Sequence, residues 1–225
     1  MPVSVSDALK RRISTRAFLD GPVSEETVRE ILDVAKYAAS GGNLQPWKVH
    51  VLMGAARERF VDAMQKAVAE NPMANESEIA VYPPNLWEPY RTRRFTVGEQ
   101  MYELVGIPRE NKAARLQWLS NNFRLFGAPV ALFFSLDRRF ERAQWAHLGM
   151  FMQSVALAAV ERGLATCMQE IWQTRQKTVS EFLNLPASDL LYCGMALGYA
   201  DLDAPVNKLR SERADLSEFA TFLTE

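Results

Sequence analysis

Residues 141–162, ERAQWAHLGMFMQSVALAAVER, constrain the fold more than any other stretch. They read as one helix from Glu141 to Arg162 that is apolar nearly all round. A helix without a polar face must be covered on every side, so the rest of the chain has to build a core around it. Gln153 and Ser154 interrupt its apolar run from Leu148 to Val160, which is too short and too polar to span a bilayer.

The flanking segments supply candidates for that cover. Val130 to Ser135 is a continuous apolar run, as in a strand buried on both faces. Leu164–Gln169 and Leu190–Gly198 read as further strands, and Gly163 closes the long helix. Trp47, Val49 and Val51 alternate with Lys48 and His50, a strand with one polar face. Ser24 is a suitable N-cap, with Glu25 and Glu26 in the first turn and Val28, Ile31, Leu32, Ala35 and Ala38 at helical spacing, and that helix stops at Gly41-Gly42. Helices are also predicted over Val5–Arg12, Ala55–Glu70, Arg115–Phe126 and Val179–Leu185. The stretch 71–111 differs in texture. Pro72, Pro83, Pro84, Pro89 and Pro108 break it, and Tyr82, Trp87, Tyr90, Phe95 and Tyr102 stud it. A long segment of this kind inside a compact domain reads as a lid or pocket wall. Trp87, Tyr90 and Phe95 are the candidates for that wall, or else they pack the segment onto the domain.

The 225 residues fit one large domain or two small ones. A hydrophobic content of 48% and a charged content of 24% are ordinary for a soluble globular chain, and a net charge of −1 gives no field that would draw it to nucleic acid or to an anionic membrane. The N-terminus lacks the apolar stretch of a signal peptide. Cys167 and Cys193 have apolar neighbours and read as buried free thiols in a reducing cytoplasm. Two distant histidines and two distant cysteines make a zinc site a poor reading. There is no dinucleotide fingerprint, P-loop, nucleophile elbow or H-E-x-x-H.

Three cationic clusters remain. In Lys10-Arg11-Arg12-Ile13-Ser14-Thr15-Arg16, alternation on an extended strand would put two guanidinium forks and a hydroxyl on one face, which suits a phosphate; the alternative is a solvated basic patch. Arg124 follows Asn121 by three residues, and Lys208, Arg210 and Arg213 close the chain. Together they suggest an anionic small ligand gathered from distant segments. The turn Ser40-Gly41-Gly42-Asn43-Leu44-Gln45-Pro46-Trp47 adds two carboxamides, which either hold the turn or meet the edge of a planar heterocycle.

The combination of Arg12-Ile13-Ser14-Thr15-Arg16, Ser40-Gly41-Gly42-Asn43-Leu44-Gln45-Pro46-Trp47, and Asn121 with Arg124 before Ala128-Pro129 resembles the FMN-dependent nitroreductase family, as do Gly163–Glu170 and Leu197-Gly198-Tyr199. The segment from Pro83 to Arg109 looks like the insert of a subgroup near the nitrobenzoate and nitroaromatic reductases. The resemblance implies an α+β fold, a three-layer sandwich with a mainly antiparallel sheet flanked by helices, and an intertwined homodimer. It implies one domain over 1–225, with 71–111 as the insert and 205–225 as an extension wrapping the partner. Two FMN molecules would sit between the subunits. Arg12, Ile13 and Ser14 would meet the phosphate and ribityl end, and Arg16 would lie near N1 and O2 of the ring, tuning its potential. Ser40, Gly41, Asn43 and Gln45 would come from the other subunit. Asn121 would bond the pyrimidine edge, Arg124 would lie near the ribityl chain, the backbone of Glu170 and Ile171 would face N5 and O4, and Ser211 and Arg213 would hold the phosphate. Whether Lys208 or Arg210 joins them is open. The implied activity is ping-pong electron transfer from NADPH or NADH to a nitroaromatic or a quinone in the cytoplasm. Enone reduction, reductive dehalogenation, flavin destruction, cyclic dipeptide desaturation and flavin binding without turnover are the alternatives.

Overall fold

The computed structural model describes residues 3–224; Met1, Pro2 and Glu225, the ends of the expected domain, lie outside them. Helices α1 (Val5–Arg11), α2 (Glu25–Ala35), α3 (Gly54–Glu70), α4 (Tyr90–Leu104), α5 (Lys112–Leu119), α6 (Arg142–Glu161) and α7 (Gln176–Phe182) surround strands β1 (Lys48–Met53), β2 (Val130–Asp137), β3 (Ala165–Gln169) and β4 (Asp189–Gly198). The sheet has the order β1-β2-β4-β3 and every neighbouring pair is antiparallel.

Strand β2 shows why its run is apolar without alternation. Val130, Leu132, Phe134 and Leu136 face the core built on α2 and α6. Ala131 and Phe133 face the opposite core, with Phe60 of α3, Trp172 and Val179 of α7. Side chains alternate across a strand, so a strand between two helical layers must be apolar at both phases. The result is the expected three-layer sandwich. Gly194 of β4 serves the second core, because a Cβ there would sit 2.4 Å from the Trp172 ring.

Four boundaries differ from the sequence reading. The helix expected over Arg115–Phe126 divides into α5 and a 3-10 segment, Ser120–Gly127, in which Leu125 and Phe126 adopt φ of 58° and 53°. Ser120 and Asn122 turn their side chains onto the carbonyls of Gln117 and Leu119, offering the backbone an alternative to the helix. The insert is not broken throughout. Its prolines flank α4, which fills fifteen proline-free residues. Helix α2 ends at Ala35, earlier than the glycines, and α7 starts earlier than Val179. On β1, Trp47 and Val49 pack toward α6, but Val51 is exposed and Leu52 buries on the other face.

Helix α6 buries Leu148, Phe151, Met152, Val155, Ala156 and Ala159, while Met150 is half exposed. One of its faces is therefore left uncovered by this chain.

Candidate cofactor site

Ser14 to Phe18 runs as an extended segment beside the sheet. Ser14 bridges Thr166 of β3, the Thr15 N–H donates to the Thr166 carbonyl, and Phe18 bridges Ala200 beyond β4. Thr15 is fully buried, while Arg12, Ile13, Ser14 and Arg16 are only part-buried.

The C-terminal arm returns to the same place. Arg12, Ile13, Ser14 and Arg16 line one cleft of about 370 Å³ with Arg210, Ser211 and Arg213. Arg210 is among the lining residues and Lys208 is not. The Arg213 guanidinium donates to the Ser211 hydroxyl at 2.7 Å and to the Ser211 and Glu212 carbonyls. Arg210 donates to the carbonyls of Asn207 and Leu209. Burial, and then the charge of Arg213, hold the Arg12 guanidinium below the usual arginine range. Cys167 lies buried beneath this cationic pair, and burial pushes its thiol up to about 11 against the pull of Arg16 and Arg12. It is a buried free thiol, as the sequence suggested.

Arg16 also borders a second cavity of about 700 Å³, with Asn121, Arg124, Arg57, Trp118 and Phe126. Arg57 of α3 donates to the carbonyls of Arg124 and Ala128 and so fixes the end of the 3-10 segment that carries Asn121 and Arg124. Gln169 at the end of β3 donates to the backbone and side-chain oxygens of Asn122 at 2.9 and 3.1 Å. That clamp ties Glu170 and Ile171, which open the next 3-10 turn, to the neighbourhood of Asn121. The Glu170 carboxylate accepts from the Tyr192 hydroxyl at 2.9 Å, and burial is the largest cause raising that phenol.

Among the described residues, none of Arg12, Arg16, Arg124, Arg210 and Arg213 makes an ion pair. Uncompensated guanidinium groups gathered this closely repel one another, and an anion that enters relieves the repulsion. Two hydroxyls, Ser14 and Ser211, stand with them. The donor set fits a phosphate at one end and a polar heterocycle edge at Asn121.

Two residues with no mark in the sequence hold this arrangement. Asn207 is buried; its Oδ1 accepts from the Arg16 N–H at 2.8 Å, and its Nδ2 donates to Ala17 and Asp201 carbonyls at 2.8 and 2.7 Å. It fastens the start of the C-terminal arm to the Arg16 strand. His147 of α6 does the equivalent for the Ser40–Gln45 turn, accepting from the Gly41 N–H at 3.2 Å.

That turn lies apart from both cavities, and none of Ser40, Gly41, Asn43 or Gln45 lines them. Gly42, Asn43 and Gln45 adopt φ of 57°, 56° and 46°. Left-handed backbone at two non-glycine residues costs of order 1–3 kcal/mol each, which local bonds must offset. They are present: Gln45 Nε2 donates to Asn43 Oδ1 at 3.0 Å, and the Gln45 N–H donates to Ser40 Oγ at 3.1 Å. The two carboxamides hold one another in this chain, and among the described residues Asn43 Nδ2 has no acceptor.

The insert meets the site through residues the sequence did not pick. Val97 borders the first cleft, and Leu104 and Val105 border the second cavity. Trp87, Tyr90 and Phe95 line neither, and each is about half exposed. Trp87 sits edge-on to Tyr90, and Phe95 lies under the Arg109 guanidinium.

Comparison with known proteins gives this geometry a setting. The family model described as "Nitroreductase family" matches residues 9–199. The chain is 40% identical over 227 residues to the nitrobenzene nitroreductase of Ectopseudomonas oleovorans, with all of both chains covered. It is 38% identical over 212 residues to a 4-nitrobenzoate reductase of Pseudomonas putida, covering 94% of this chain and 92% of that one. The crystal structure of the FMN and NADPH-dependent nitroreductase NfnB from Sphigopyxis sp. strain HMH superposes with a TM-score of 0.95 at 41% identity, covering 99% of this chain and 100% of that one.

Proposed function

The chain belongs to the nitroreductase family, and from that premise we propose that it is an FMN-dependent NAD(P)H oxidoreductase that reduces nitroaromatic compounds, and quinones as well. The observation that carries the reading is the convergence of five unpaired guanidinium groups with Ser14 and Ser211 beside Asn121. When bound, FMN supplies the redox chemistry, accepting hydride from the reduced nicotinamide and delivering electrons to the nitro group. The protein's own part is to bind and tune.

In this reading Arg12, Ser14, Arg210, Ser211 and Arg213 hold the phosphate. Arg16 supplies positive charge at the pyrimidine side, and its backbone is fixed by Asn207. Asn121 and Arg124 bond the pyrimidine edge and ribityl chain, positioned by Gln169 and Arg57. Glu170 and Ile171 offer backbone N–H groups. No acidic or basic side chain is required as a dedicated catalyst, because protons come from solvent.

The turn Ser40–Gln45 then serves the cofactor of a second copy in a homodimer. Supporting this are its distance from the cradle of its own chain, its free Asn43 amide, and the uncovered face of α6. Near its end the C-terminal arm, expected over 205–225, carries apolar residues without cover among the described residues, Phe219 and Phe222 being 71% and 73% exposed, as befits an extension that wraps a partner. Among the described residues no helix is long and apolar enough to cross a membrane, and the cytoplasm is the proposed location.

The test is anaerobic reconstitution with FMN, reduction by NADPH or NADH, and addition of nitrobenzene, 4-nitrobenzoate, a quinone, an enone and a halophenol in separate runs. The reading predicts that the nitroarenes reoxidise the protein with hydroxylamine or amine as product. A protein that binds FMN and accepts electrons, but passes none to any nitroarene, would contradict it.

A further inference from the structure

A third cleft, of about 990 Å³, opens between α4 and the C-terminal arm. Tyr82, Pro89, Arg93, Arg94 and Val97 form one wall, and Ser211, Arg213, Glu218 and Phe219 stand on the other. The cleft shares Val97, Ser211 and Arg213 with the phosphate cleft, so the two are continuous. Arg93 and Glu218 close one side with an ion pair at 2.7 Å between residues 125 apart in sequence. The Arg94 guanidinium lies over the Tyr82 ring at 4.2 Å from its centroid and has no carboxylate partner among the described residues. Stacking on the ring holds the fork in place and leaves its N–H edge to donate. Glu212 also lines the cleft and opposes an anion there, Arg213 is committed to the neighbouring phosphate cleft, and Arg93 is paired with Glu218, so Arg94 is the cation left to meet a second phosphate.

Helix α4 measures the distance from this cleft to the ring end of the site. Leu104 borders the cavity of Asn121 and Arg124, while Arg94 faces the cleft. Ten helical residues separate them, about 15 Å at about 1.5 Å per residue. That is the scale of an extended dinucleotide, whose nicotinamide must reach the ring while its adenosine lies elsewhere. The cleft has aromatic and proline surfaces for a purine and a free guanidinium for a phosphate.

We propose that the cleft between α4 and the arm holds the adenosine half of the reducing dinucleotide, with Arg94 as the residue that recognises a 2′-phosphate. The proposal rests on the dinucleotide-dependent reading above and extends it to a preference for NADPH over NADH. A charge-assisted bond to phosphate that is lost on truncation corresponds to about a tenfold loss of affinity or more.

The test is calorimetric titration of the FMN-loaded full chain with adenosine 2′,5′-bisphosphate and, separately, with 5′-AMP. Wild type should bind the bisphosphate more tightly. Arg94→Ala should weaken the bisphosphate about tenfold and bring the two ligands together, with FMN content and melting temperature unchanged. Arg94→Lys, which keeps the charge and loses the fork, should fall between. In turnover, the ratio of KM for NADPH to KM for NADH should rise about tenfold in Arg94→Ala. Equal binding of the bisphosphate by wild type and Arg94→Ala, or no bisphosphate binding by wild type, would overturn the proposal. The titration needs no oxidant and no turnover, so a failure of the nitroarene assay would leave its result untouched.

Discussion

The cradle around Arg12 and Arg213 and the turn around Asn43 are both built from polar residues at a chain reversal, yet they are held in opposite ways. The cradle is long-range. The segment Arg12–Arg16 meets the arm 207–213, and Asn207 joins them across 191 residues. The turn is short-range. Its bonds run among Ser40, Gly41, Asn43, Leu44 and Gln45, and among the described residues only the Gly41–His147 bond reaches elsewhere. A cradle assembled from distant segments of one chain can present its groups without help. A turn that satisfies itself, carries left-handed backbone, and leaves one amide free is a preformed projection suited to something outside its own chain.

Breaking the cradle should have the largest effect. Arg213→Ala combined with Arg12→Ala removes two charge-assisted donors, so FMN affinity measured by fluorescence titration of apoprotein should fall by about 10- to 100-fold or more. Asn207→Leu leaves the Arg16 N–H and two carbonyls without their partner, so it should cost about 1–3 kcal/mol of stability in denaturant unfolding and weaken FMN as well. On the turn, His147→Phe removes the one long-range bond, and FMN affinity should fall by about two- to tenfold with little loss of stability. Asn43→Gly relieves left-handed strain but deletes the amide. If Asn43→Gly and Asn43→Ala weaken FMN equally, the amide reaches the cofactor; if glycine restores wild-type affinity, the amide only holds the turn.

The smallest effect concerns the strand that follows the turn. Burial lowers the His50 imidazole from its ordinary 6.5, with Asp189 opposing and Lys48 reinforcing. The folded state resists protonation that the unfolded chain accepts, so this contribution to stability is complete above about 6.5 and is lost as pH falls toward the lower folded value. His50→Gln should flatten the fall in melting temperature between about pH 7.5 and pH 5.5.

The sequence carried what depends on local periodicity. The two-faced burial of β2 followed from a run without alternation. The resemblance carried the fold and family. What could not be read was what depends on pairing between distant segments. Asn207, Gln169, Arg57 and His147 look like ordinary polar residues until the fold supplies their partners 191, 47, 71 and 106 positions away. Helix α4 escaped notice because it buries no residue and shows no apolar stripe to set a helical period. The break after α5 escaped notice because Leu125 and Phe126 adopt a backbone that their own propensities disfavour.

The central claim is that a complete FMN site takes its cradle from one copy and its turn from another. Mixing an Arg12→Ala/Arg213→Ala subunit with an Asn43→Ala subunit under subunit exchange tests it directly. If the site is shared, a mixed dimer contains one site with both defects and one with neither. The mixture should then regain tight FMN binding, up to one site per mixed dimer, that neither variant shows alone. If cradle and turn of the same chain make the site, every site in the mixture carries a defect, and unchanged weak binding after verified exchange would contradict the account.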